Sequence, residues 1–99
     1  MSSARPIILV VDDDPTMREF MRWCLAPLQP TMLEARNGVE ALAILRSHTP
    51  HVAISDVHMP NMNGFELVAA AQADPKLSTV PFRMMSSLAD RAAYRRAVG

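Results

Sequence analysis

Five apolar residues, Ile7 to Val11, run without interruption into three aspartates and a proline, and short apolar runs then alternate with amphipathic stretches along the rest of the chain. Ile7–Val11 is largely β-branched and lacks the polar alternation of a half-exposed sheet, which predicts a strand buried on both faces. Asp14 and Pro15 read as a helix start. The aspartate is the N-cap, and the proline takes the first helical position, where its missing N–H costs nothing. Met17, Phe20, Met21, Cys24 and Leu28 follow at helical spacing as the buried stripe, and Pro27 and Pro30 bound the segment.

Thr31–Ala35 predicts a second strand, Asn37-Gly38 a turn, and Val39–Ser47 a second helix closed by Pro50. Val52–Ser55 is a third strand and also ends on an aspartate, Asp56. The loop "VHMPNMNG" leads at Gly64 into the helical run Phe65–Ala73, which Asp74-Pro75 breaks. Val80–Ser86 is a fourth strand, with Pro81 suited to its beginning. Asp90–Val98 is a last helical segment. This alternation implies right-handed crossovers and an α/β fold, a doubly wound parallel sheet with helices on both faces.

Composition narrows the classes. A chain of 99 residues is read as one domain, residues 1–99, with no linker or internal repeat. Ten basic and ten acidic residues cancel, and no long basic run is present, which argues against a nucleic-acid surface on this segment. The single cysteine, Cys24, excludes an intrachain disulfide and fits a reducing cytosol; on the buried stripe it is expected to be inert. The apolar run after Arg5 is too short for an export signal or a membrane span. A soluble, cytoplasmic protein is expected. His48, His51 and His58 fit no metal spacing and are read as loop residues. The eight methionines are read as filler of an irregular core. Trp23 lies off the stripe, as half-exposed filler or as part of a partner-binding patch. Arg91, Arg95 and Arg96 are read as a solvated helix face.

The chemistry gathers at strand ends. Open parallel sheets bind ligands outside the carboxyl ends of their strands. Asp12 and Asp13 follow the first strand and Asp56 the third, so neighbouring strands would bring the carboxylates together. Carboxylates that close need a cation, and Mg²⁺, a hard ion with oxygen ligands, suits them best. Such a centre is what phosphoryl transfer requires.

The runs "ILVVDDDPTMREFM", "SDVHMPNMNGFEL" and "VPFRMMSS" together resemble the receiver domain of bacterial two-component response regulators, of the chemotaxis-regulator type. The resemblance implies a flavodoxin-like sheet of strand order 2-1-3-4, with the family's fifth strand and helix absent from this chain. It implies Asp56 as phosphoacceptor and Asp12, Asp13, Asp56 and the backbone carbonyl of His58 as ligands of Mg²⁺. Ser86 would hold the phosphoryl group and act as the switch. The donor would be a sensor histidine kinase or a phosphotransfer protein, and the domain would be a phosphorylation switch rather than a turnover enzyme. The family's lysine would fall after Gly99, and Lys76, the one lysine here, lies in the loop after Asp74-Pro75. Metal binding is therefore expected to persist while phosphorylation is weak or signalling through the fifth strand is lost. The fourth strand would be an open edge that invites a homodimer or exchange of elements. Two other readings stand beside this one. "DDDPT" also fits a haloacid-dehalogenase-like phosphatase, with Asp12 as nucleophile and Asp14 as general acid, and a degenerate receiver could serve only as an interaction module.

Overall fold

The apolar run Ile7–Val11 becomes an interior strand, paired on both sides and covered on both faces. A computed structural model describes residues 5–85. The elements are β1 (Ile7–Val11), α1 (Pro15–Leu25), a 3₁₀ turn (Ala26–Leu28), β2 (Thr31–Ala35), α2 (Gly38–Ser47), β3 (Val52–Asp56), α3 (Gly64–Gln72) and β4 (Phe82–Met85). The sheet order is β2-β1-β3-β4 with all pairs parallel. That is the doubly wound α/β arrangement, with the order 2-1-3-4 expected from the resemblance.

Alternation along β1 divides the core in two. Leu9 and Val11 pack with Leu42 and Leu45 of α2 and with Leu67 and Ala71 of α3. Ile8 and Val10 pack with Met21 of α1, joined by the partly buried Leu25, Met32, Ile54 and Met85. Burial on two faces is why the run carries no polar residue. Full burial of a side chain such as Leu9, Leu45 or Leu67 contributes about 1.5–3 kcal/mol before ordering costs. Methionines supply much of the second core, and Met59 and Met62 flank the first, as the filler reading expects.

Each helix starts on a side-chain cap. Asp14 accepts the N–H of Thr16 at 2.9 Å, with Pro15 at the first helical position. Asn37 accepts the N–H of Glu40 at 2.9 Å. Asn63 and Glu66 form a reciprocal box, each side chain accepting the other's backbone N–H. Asn37-Gly38 is thus the start of α2 and not a free turn. A Cβ on Gly38 would lie 2.7 Å from Cγ and Sδ of Met62, so the glycine is there for close packing.

Three expectations need correction. Cys24 is exposed, as are Phe20 (39%) and Leu28 (58%). The face of α1 against the sheet is the narrower series Met17, Met21 and Leu25, at intervals of four; Phe20 and Cys24 stand one step around the helix, facing away from the strands. The α-helix also stops at Leu25, and Pro27 sits within the 3₁₀ turn that follows, closed by Gln29 in the left-handed region at φ 50°. The described part of the fourth strand is Phe82–Met85. Val80 is buried in the preceding turn, where its N–H donates to Leu77, and Pro81 sits outside the strand. Ser86, the segment Asp90–Val98 and its three arginines lie outside the described residues. No helix among the described residues is long and apolar enough to cross a membrane.

Candidate metal and phosphoryl site

Strand register decides which side chains meet. β1 and β3 pair Val10 with Ile54 and Val11 with Ser55, so the next residues, Asp12 and Asp56, come level at the carboxyl rim. This rim is also the topological switch point. The chain crosses from β1 to β2 on one side, and α2 returns it to β3 on the other. One carboxylate oxygen from each of Asp12, Asp13 and Asp56 lies within 4.8 Å of the other two; Asp12 is buried, Asp56 half-buried and Asp13 exposed. The convergence read from the sequence is therefore present.

Asp12 is held at three points. Its N–H donates to the Ala35 carbonyl at 3.0 Å, extending the β1–β2 ladder by one residue. Its Oδ1 accepts the Asp14 N–H at 2.9 Å. Its carbonyl accepts from Nη1 of Arg18 at 2.6 Å. Asp56 ends β3 opposite Met85. Oδ1 of Asp56 faces the His58 N–H at 3.4 Å, and its carbonyl accepts from the fully buried Ser55 hydroxyl at 3.0 Å.

The loop after Asp56 is anchored to both neighbours. Val57 donates to Met85 and accepts from the Gly64 N–H, each at 2.9 Å. A Cβ on Gly64 would collide with the Asp56 carbonyl oxygen and with Cε of Met84. Only glycine lets the first turn of α3 press against the end of β3. Asn61 takes the left-handed conformation at φ 71°, which asparagine accepts more readily than most residues.

The donor set suits a hard divalent cation. It consists of anionic oxygens at close quarters, one of them on a buried side chain, with no sulfur or imidazole among them. Asp14 stands apart, because its Oδ1 is committed to the cap of α1. His48, His51 and His58 are all exposed, as loop residues; His51 accepts the Ile7 N–H at 2.9 Å on the opposite rim of the sheet.

Sequence reasoning missed Arg18 and Glu34. Arg18 Nε donates to Glu34 Oε1 at 3.0 Å, and Arg22 also pairs with Glu34. The signals were faint: an arginine one helical turn after the Asp14 cap, and a lone acid in the apolar strand β2.

Comparison with known proteins agrees with this geometry. Residues 8–99 match the model of the response regulator receiver domain family. The chain is 39% identical over 87 residues to a chemotaxis protein CheY homologue of Campylobacter jejuni, covering 86% of this chain and 67% of that protein. It is 33% identical over 94 residues to the sensor histidine kinase CheAY of Helicobacter pylori, covering 93% of this chain and 12% of the kinase. The signal receiver domain of a signal transduction histidine kinase from Syntrophus aciditrophicus superimposes with a TM-score of 0.78 at 33% identity, covering 94% of this chain and 70% of that one. A family match across nearly the whole chain, a sheet of order 2-1-3-4 and three carboxylates at its switch point lead to one assignment: this chain belongs to the response regulator receiver domain family, the phosphoacceptor switches of two-component signal transduction.

Proposed function

We propose that Asp56 is the phosphoacceptor and that Asp12, Asp13, Asp56 and the backbone carbonyl of His58 hold Mg²⁺. The single observation that carries this reading is the meeting of the three carboxylates at the end of β1 and β3. When bound, the ion would offset the charge of these carboxylates and of the incoming phosphoryl oxygens. Asp56 is the carboxylate suited to attack. It is half-buried rather than closed off, and its backbone is pinned by β4, by Ser55 and by the close approach of α3. One of its oxygens attacks phosphorus as the P–N bond of a phosphohistidine breaks; the imidazole keeps the bonding pair and takes up a proton. The product is an acyl phosphate, a mixed anhydride that water hydrolyses, releasing inorganic phosphate and restoring the Asp56 carboxylate. Ser86, next in sequence after Met85, is assigned the hydroxyl that contacts the phosphoryl group.

The donor we assign is a sensor histidine kinase or a phosphotransfer protein. The relatives include a sensor histidine kinase, and the surface of α1 beside the acidic turn suits a helical partner. Pro15, Phe20, Trp23 and Cys24 line a shallow apolar depression there, with Trp23 75% exposed. A free, exposed thiol at Cys24 suits a reducing compartment, and we place the protein in the cytoplasm.

Substitution tests the assignment. Asp56→Asn should abolish Mg²⁺-dependent labelling by acetyl phosphate, read by intact-protein mass spectrometry, and weaken Mg²⁺ binding without unfolding the chain. Labelling that survives in Asp56→Asn would move the acceptor elsewhere.

A further inference from the structure

We propose that Arg18 is a positioning residue that presets Asp12 for cation binding, through its bridge between the Asp12 carbonyl and Glu34 of β2. The proposal rests on the cation-site reading above and assigns a role to a residue outside the carboxylate cluster. The β1–α1 turn carries three successive aspartates, whose mutual repulsion favours splaying the turn. Arg18, in α1, reaches back to that turn with a cation. Its side chain is only 14% exposed, and its guanidinium spans two elements: Nη1 donates to the Asp12 carbonyl at 2.6 Å and Nε to Glu34 Oε1 at 3.0 Å. Glu34 is a fixed anchor because it sits in β2 opposite Val10.

Together with the Asp12 N–H on Ala35 and the Asp14 N–H on Asp12 Oδ1, this bridge fixes the backbone on both sides of the Asp12 Cα and one oxygen of its carboxylate. Arginine is needed for its geometry as well as its charge. A planar fork donates in two directions at once, whereas a lysine ammonium on a flexible stem reaches one acceptor well. Arg22 is a natural control. It binds the same Glu34 from the exposed side of α1, with its own side chain 48% exposed against 14% for Arg18.

Divalent affinity and the metal-free turn are measured in the same variants. Arg18→Gln and Arg18→Lys are expected to weaken Mg²⁺ affinity, followed by isothermal titration, by about tenfold, the scale seen when a partner orienting a metal ligand is lost. Arg22→Gln should match the unsubstituted protein. In the absence of metal, the Asp14 amide should exchange with solvent faster in both Arg18 variants and at the original rate in Arg22→Gln. A role through charge alone predicts the opposite sign, since removing a nearby cation would tighten Mg²⁺ binding in Arg18→Gln and leave Arg18→Lys unchanged. Mg²⁺ affinity equal to or tighter than the original in Arg18→Gln overturns the proposal, and so does an unaltered Asp14 exchange rate. Failure of the unsubstituted chain to bind Mg²⁺ would instead overturn the cation-site reading, while the exchange measurement would still decide whether Arg18 holds the turn.

Discussion

A single absent methyl group shapes the carboxyl rim of the sheet at Asp56. Gly64 lies so close to the Asp56 carbonyl and to Met84 that a side chain there must displace backbone as well as a flexible methionine. Gly64→Ala is therefore expected to cost about 1–3 kcal/mol, as overpacking does, and to weaken Mg²⁺ binding by shifting Asp56. Thermal denaturation and a metal titration check the two effects. At this scale the acids were legible in the sequence. Asp12, Asp13 and Asp56 directly follow apolar runs, and the end of a parallel strand is a fixed place relative to its neighbour. Arg18 and Glu34 were not legible, because their meeting depends on how α1 rolls across β1 and β2. The exposure of Cys24 is hidden in the sequence for the same reason. Helical spacing gives the angle between side chains but not which sector the sheet covers.

At the scale of elements, the helix starts were the most readable features, since an N-cap is a local hydrogen bond between residues two or three apart. Asp14 and Gly64 marked α1 and α3 to within a residue. Asn37 was the ambiguous case, because asparagine before glycine serves a turn or a cap, and the packing of Met62 on Gly38 decided it. The α2 start also carries a pH dependence. The Arg36 side chain, and then its backbone N–H, hydrogen-bond Glu40 and hold its carboxyl below the usual carboxylate range. In the unfolded chain that carboxyl returns to its ordinary value. The contribution is therefore complete above the usual carboxylate range and is lost as pH falls through the depressed native value. Both groups are exposed, so solvent screens the effect and keeps it small. Glu40→Gln should melt slightly below the unsubstituted protein at neutral pH, with the gap closing in acid; a gap that persists in strong acid would show that the ion pair is not its source.

For the molecule as a whole, strand order was readable only through the family resemblance. Alternation of elements implies a parallel sheet, but nothing local tells β3 to pair with β1 rather than with β2. Among the described residues β4 pairs with β3 alone, and it places Arg83 in solvent between the half-buried Phe82 and Met84. A charge in that position discourages further pairing, while the apolar neighbours favour it. We expect the apolar neighbours to prevail at high concentration, so that light scattering of the chain shows dimers formed through β4.

Trp23 can tell that event from docking on α1. It is the one tryptophan in the sequence, and its indole lies in water on α1, with Nε1 donating to Glu19 at 3.2 Å. Selectively excited fluorescence therefore comes from a single hydrated ring on a surface separate from the sheet edge. Joining through β4 should leave its colour and its quenching by acrylamide unaltered, whereas a phosphodonor seated on α1 should shift it to the blue and shield it. The protein thus carries its own optical reporter, placed where its messages are expected to arrive.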